Sequence, residues 1–199
     1  VRQYIQLVGR GAIGVAADDG RLLWSYNRIA NGAANVATPV VSGDYVFCTT
    51  AYSTGSALLK LTPDGDGGVK AEEVYFLTPQ QFENHHGGVV MVDGYIYGGD
   101  GGNRGTPICI EMATGKIVWK EQAVAGGSAA IVCADGKLYF RYQDGVVALI
   151  EATPEAYRLK GKFKAASVLG PAWAHPVVYD GKLYLRDHDV LMCYDVKGQ

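Results

Sequence analysis

No two of the four cysteines, Cys48, Cys109, Cys133 and Cys193, form a C-x-x-C pair. That removes zinc ribbons, thioredoxin-type redox chemistry and c-type haem attachment. Each cysteine lies in an apolar, strand-like run and reads as a small buried residue, with a disulfide of undeducible pairing as the other reading. No apolar run approaches the roughly 20 residues that span a bilayer. The first residues also lack the charged-then-apolar pattern of a secretory leader, which leaves a cytoplasmic protein or a processed or truncated chain. Charge is scarce and balanced: 18 Lys and Arg face 20 Asp and Glu, a formal net charge of −2. With no basic cluster either, nucleic-acid and anionic-membrane partners are not expected.

Glycine and tyrosine, by contrast, are plentiful, at 27 and 13 in 199 residues, as suits an all-β protein with many turns. Three of the glycines, Gly9, Gly11 and Gly14, have the G-x-G-x-x-G spacing of a dinucleotide site. That site needs a strand, a tight turn and a helix whose N-terminus meets the pyrophosphate. Here Asp18-Asp19-Gly20 makes a turn within a few residues, and the strand-like Arg21–Asn27 follows. There is no room for the helix, so the dinucleotide reading fails.

Internal comparison supplies another role for these glycines. Residues 39–47, 89–97, 131–139 and 176–184 each read as an apolar run, a Gly-Asp or Asp-Gly turn and an aromatic-ending strand. Such turns between alternating apolar strands mark hairpins. The aligned aromatics Phe47, Tyr97, Tyr139 and Tyr184 lie 50, 42 and 45 residues apart. A second hairpin follows each first one, at 56–76, 106–120 and 146–163, with 11–26 as an earlier example and Val190–Gln199 beginning another. Four strands per 40–50 residues define one blade of a β-propeller. The predicted fold is therefore all-β, in four-stranded antiparallel blades. These span approximately 1–27 (incomplete), 38–77, 87–122, 128–165 and 173–199 (incomplete). Because both incomplete ends supply middle strands, they do not add to one blade. The chain reads as part of a larger ring, with a five-bladed closure as the alternative. Gly9 and Gly11 fall in a connection between second and third strands, and Gly14 falls in the third strand.

The second hairpins carry a family resemblance. Residues 109–119, CIEMATGKIVW, resemble the tryptophan-docking motif of the PQQ-type (quinoprotein-like) propeller repeat, with Cys109, Glu111, Thr114-Gly115 and Trp119 at its small, acidic, turn and docking positions. Residues 14–24 keep Gly20 and Trp24 but place Ala16 at the acidic position, and the blades around Leu59 and Leu149 lack the Trp. The resemblance implies a ring of seven or eight blades. It also implies that Trp24 and Trp119 pack between blades and are not cofactor ligands. In repeat type the chain is similar to the propeller lipoprotein of the outer-membrane β-barrel assembly machinery.

Topology sorts the connections. The turns joining first to second and third to fourth strands share one face, and the longer, more varied connections share the other, where function on a rigid scaffold usually sits. On that face stand Asn31 and Asn35, Asn84-His85-His86, Ser128, Trp173 and His175, together with Asp100, Asn103, Arg104, Arg141, Asp144, Arg186, Asp187 and His188. His86, Ser128 and Trp173 occupy equivalent places in successive blades and should point alike. The candidate ligand-binding set is Asn35, His85, His86, Ser128, Trp173, His175, Arg141 and Arg186. No metal centre is expected, because His85 and His86, being adjacent, point opposite ways in extended chain. Gly126–Ala130 lacks the last glycine and the helix of a nucleophile elbow, and Asp64–Gly68 lacks the spacing and closing Glu of an EF-hand.

Two functions follow. One is a non-enzymatic scaffold without a cofactor, presenting this face to a protein or small ligand. The other, implied by the resemblance, is a quinoprotein dehydrogenase that oxidises an alcohol or sugar with PQQ and Ca²⁺. Trp173 would then stack on the quinone, Arg141 or Arg186 would pair with its carboxylates, and Glu83 is the nearest candidate base. Family members of both kinds work outside the cytoplasm, which implies the periplasm or cell surface.

Overall fold

The computed structural model describes residues 1–65 and 67–197 and contains eighteen strands. Asp66, in the Asp64–Gly68 turn, and Gly198–Gln199, at the end of the last expected blade, lie outside the described residues. Strands β1 (Gln3–Val8), β2 (Gly11–Ala16) and β3 (Leu22–Tyr26) form the first sheet. The second contains β4 (Val40–Ser42), β5 (Tyr45–Thr50), β6 (Gly55–Asp64) and β7 (Gly68–Leu77). The third contains β8 (Val89–Val92), β9 (Tyr95–Asp100), β10 (Thr106–Glu111) and β11 (Ile117–Lys120). The fourth contains β12 (Ala129–Ala134), β13 (Lys137–Tyr142), β14 (Val146–Glu151) and β15 (Leu159–Lys164). The fifth contains β16 (Val177–Tyr179), β17 (Lys182–Asp187) and β18 (Val190–Asp195). Every strand pairs antiparallel with its sequence neighbour in the sheet, and no helix occurs among the described residues.

These sheets are the blades of a partial propeller, counted first to fifth below. The innermost strands β4, β8, β12 and β16 touch in succession. The apolar core is divided among four seams. Leu7, Trp24, Val46 and Leu59 fill the first, and Phe47, Leu77, Phe82 and Ile96 the second. Tyr97, Trp119, Phe140 and Ile150 fill the third, and Val147, Leu183, Leu185 and Met192 the fourth. A repeat of this kind is stabilised mainly by contacts between neighbours.

The hairpin turns explain their sequences. Asp93-Gly94, Asp135-Gly136 and Asp180-Gly181 all have positive φ at both residues, the type I′ geometry that matches strand twist. The fingerprint glycines are equally local. Gly11 has φ +114°, and a Cβ there would lie 2.1 Å from the carbonyl oxygen of Tyr26. Gly55 repeats this at the start of β6, with φ +118° and 2.2 Å to the Leu77 oxygen. Gly14 is glycine for space, since a Cβ would stand 2.2 Å from the Trp24 indole nitrogen.

A β-bulge recurs at one place in all four complete outer hairpins, after Gly14, Leu58, Cys109 and Leu149. The residues paired there are Trp24, Tyr75, Trp119 and Gly161. Trp119 Nε1 donates to the Thr153 carbonyl of the next blade at 2.9 Å. Tyr75, which the sequence pattern did not single out, donates its hydroxyl to the Met112 carbonyl at 2.7 Å in the same sense. Trp24 is buried but hydrogen-bonds within its own blade, to Gln3 Oε1 at 2.7 Å. Burial of the cysteines is less uniform than expected. All four are free, Cys48 and Cys109 are buried, Cys133 is half-buried and Cys193 is exposed.

Candidate functional site

Backbone hydrogen bonds order the two faces separately. On the face of short turns, Met112, Ala152 and Val196 each donate to the glycine of the first hairpin in their own blade, Gly94, Gly136 and Gly181. On the opposite face, Gly101 N–H donates to Glu83 O at 3.0 Å, Gln143 N–H to Ser128 O at 3.0 Å and Ala172 N–H to Gln143 O at 3.2 Å. The longer connections of the third, fourth and fifth blades are thereby fixed around one another.

Their side chains converge on Ser128, which is buried. Its hydroxyl lies 2.7 Å from His85 Nδ1, 3.1 Å from His86 Nε2 and 2.9 Å from Asn103 Oδ1. Asn103 Oδ1 also accepts from the Ser128 N–H at 3.2 Å. An amide oxygen only accepts, so the single serine proton goes to Asn103. Both imidazoles then donate to the serine oxygen, and His85 Nε2 accepts from the Tyr52 hydroxyl at 2.9 Å. In this pattern the serine proton is directed to Asn103 and not to a histidine, with His85 Nδ1 2.7 Å from the serine oxygen. The cluster is a rigid polar lock across the third and fourth blades.

Burial lowers both histidine pKa values, because desolvation penalises the cation. For His85 the nearby Glu83 carboxylate partly offsets this. His86 is pushed down to about 4 from 6.5, by burial first and then by His85 and His175. The unfolded chain therefore binds more protons than the folded one between these values. The His86 contribution is fully present above about 6.5 and is lost as pH falls through about 4. Thermal unfolding across this window should show Tm falling with acidification, and the slope should be shallower in His86→Gln. An unchanged slope in that variant would contradict the assignment.

Beside the lock runs a groove of about 580 Å³, lined by Tyr52, Glu83, His85, Asn103, Gln143 and Trp173 among others. Trp173 is 57% exposed, yet it is held in place. Its indole nitrogen donates to Gln143 Oε1 at 3.0 Å, and its ring centroid lies 5.3 Å from that of His86. His175 Nε2 donates to the His86 carbonyl at 3.2 Å. Glu83 is positioned from below, its N–H donating to buried Asp100 at 3.0 Å, while Asp100 pairs with Lys120 at 2.5 Å.

The structure thus brings together His85, His86, Ser128, Trp173 and His175. It does not bring Asn35 or Arg186 to them, and Arg141 reaches the backbone between Trp173 and His175. Asn35 closes its own loop, accepting from Asn31 N–H at 3.0 Å and donating to Asn31 O at 2.9 Å. Arg141 is buried, donates Nη1 to the Ala174 carbonyl at 2.8 Å, and has its pKa lowered by burial despite Asp187. Arg186 turns back to the His188 carbonyl at 2.8 Å. The expectation that His85 and His86 point apart is also corrected. Their ring centroids are 4.3 Å apart, because the chain bends at His86-Gly87 instead of running extended. Even so, no group of three or more His, Cys, Asp or Glu is arranged for a metal ion among the described residues. Tyr52 and Gln143 were not anticipated. Tyr52 sits in a connection whose Tyr52-Ser53 pair takes positive φ, a conformation that sequence marks only when glycine supplies it.

Radial four-stranded blades, seams filled by outer-strand aromatics and one face of long connections define the chain as a partial β-propeller of the PQQ-like repeat class. Its residues 2–121 and 67–156 match the family described as outer membrane protein assembly factor BamB, and the chain belongs to that family. The crystal structure of BamB from Moraxella catarrhalis is similar to it, with a TM-score of 0.65 at 12% identity over 92% of this chain and 51% of that one. The chain spans about half the length of that relative. A europium-containing methanol dehydrogenase aligns with a TM-score of 0.45 at 19% identity, over 60% of this chain and 23% of the enzyme. No curated protein sequence matches. No helix among the described residues is long and apolar enough to cross a membrane.

Proposed function

We propose that this chain is a non-enzymatic scaffold in outer-membrane protein assembly, working in the periplasm and presenting the face of long connections to a protein or small ligand. The observation that carries this reading is the lock around Ser128, beside which Trp173 is held against Gln143 and His86 at the groove. Membership of the BamB family supports the assembly role. The reading without PQQ draws support from the arginines: Arg141 donates Nη1 to Ala174, and Arg186 donates Nε to His188. Neither lines the groove, and Glu83 is its one lining carboxylate among the described residues. In this reading the scaffold works without PQQ or Ca²⁺.

Photo-crosslinking in cells tests the face. The cross-linking amino acid p-benzoylphenylalanine at Trp173 or Tyr52 should trap an outer-membrane assembly component. The same group at exposed Val118, on the outer strand β11, should not. Adducts from Val118 with none from Trp173 or Tyr52 would place the working surface elsewhere.

A further inference from the structure

The four recurrent bulges place a large aromatic over three seams and a glycine, Gly161, over the fourth. Trp119 and Tyr75 pack into the third and second seams, the latter keeping about 270 Å³ beside Leu58 and Met112, whereas the fourth keeps a larger cavity of about 410 Å³, walled mainly by Tyr139, Val147, Leu149, Phe163, Tyr194 and Val196, with Lys162 and Asp195 also in its lining. The repeat itself states what shape belongs there. Tyr75 lies beside Leu58 and donates to Met112 O, and the same positions around the cavity are Leu149 and Val196. Met112 and Val196 are matched by their equivalent backbone bonds to Gly94 and Gly181.

The rim adds a second, independent requirement. Strand β15, LKGKFK, is exposed along its whole length and is the outer edge of its sheet among the described residues. It carries Lys160, Lys162 and Lys164. Lys160 lies 3.7 Å from Glu151, whereas Lys162 and Lys164 have no carboxylate partner among the described residues. An unpaired edge offers backbone hydrogen bonds to an added strand, and its cations favour acidic side chains on that strand.

We infer that the fourth seam is a docking site for an extended acidic peptide segment bearing a tyrosine, whose ring enters the Gly161 cavity while its backbone adds to β15. The site lies on the outer seam beside the short turns, away from the groove at Trp173, and does not depend on the function proposed above. Burying one aromatic anchor in a preformed apolar pocket is the usual basis of a binding hot spot.

The chain's own strand β7 supplies the probe, because Ala71–Leu77 reads AEEVYFL and carries Tyr75 with two glutamates. A fluorescein-labelled AEEVYFL peptide should bind the whole protein by anisotropy. Replacing its tyrosine by alanine should weaken binding at least about tenfold. Gly161→Trp, which fills the cavity from within, should abolish binding and raise Tm. The surface variant Lys164→Glu, at a residue outside the cavity lining, should weaken binding at least about tenfold at low salt. Failure of the peptide to bind, or binding indifferent to the tyrosine and to both variants, overturns the proposal. So does a rise in Tm for Gly161→Trp without any peptide binding to the parent chain, since the cavity would then be a packing defect alone.

Discussion

Trp119→Ala should lower the free energy of unfolding by about 3–5 kcal/mol, the range for deleting a buried aromatic. Trp119 is 8% exposed and sits between two tyrosines, 5.9 Å from Tyr97 and 5.7 Å from Tyr157 by ring centroids. Tyr157 belongs to the next blade, and so does Thr153, whose carbonyl accepts the indole N–H. The deletion therefore removes apolar area, leaves a void at a seam and orphans an acceptor together. Because blades are coupled mainly to their neighbours, the damage should be local in a characteristic way. Denaturant unfolding should broaden or divide, as the blades on either side of the third seam lose their coupling. Trp119→Phe keeps most of the area and should recover all but about 1 kcal/mol of the hydrogen bond. A single sharp transition with near-parental midpoint in Trp119→Ala would show that this seam does not couple the blades.

The second large effect is at Gly87. An alanine Cβ there would stand 1.6 Å from the Ala129 oxygen and 3.0 Å from the Ala130 Cα, backbone atoms that no rotamer can clear. Strands β8 and β12 must move apart, at a cost of about 3 kcal/mol by analogy with overpacked cores. The movement starts one residue from His86 and one from Ser128, so the lock should open as stability falls. In Gly87→Ala the imidazole NMR signals of His85 and His86 should shift toward solvent positions, and the His86 pKa should rise from about 4 toward 6.5. Stability loss with unchanged histidine signals would mean that the lock does not depend on the approach of these two strands. Gly161, by contrast, meets nothing within 4 Å, which makes these two glycines useful opposites.

The propeller was legible because its most local requirements are written in residue types. Asp-Gly at Asp93, Asp135 and Asp180 marks turns that need two consecutive residues at positive φ, and few sequences supply that. Alternation on the flanking strands then fixes which side chains enter the seams. The grouping of His86, Ser128 and Trp173 followed from their equivalent places in the repeat. Repeat logic did not reach side-chain direction inside irregular loops. His85 and His86 converge because of a bend at Gly87, whose cause, the Ala129 carbonyl, is more than forty residues away in sequence. Asn35, Arg141 and Arg186 are polar residues on the right face that satisfy nearby backbone instead of the groove. Tyr75 was hidden for a different reason. The aromatic survives in its blade but the surrounding Thr-Gly turn and Trp do not, and only strand register aligns it with Trp119.

On the proposed function, the face around Ser128 and Trp173 binds its partner without quinone chemistry. Calorimetric titration of the folded protein with PQQ, with and without Ca²⁺, tests it most directly when a dye-linked alcohol and sugar oxidation assay is run on the same sample. No saturable heat and no turnover are expected in either condition. Tight, Ca²⁺-dependent binding accompanied by dye reduction would contradict it, and would make Glu83 the first residue to examine as a base.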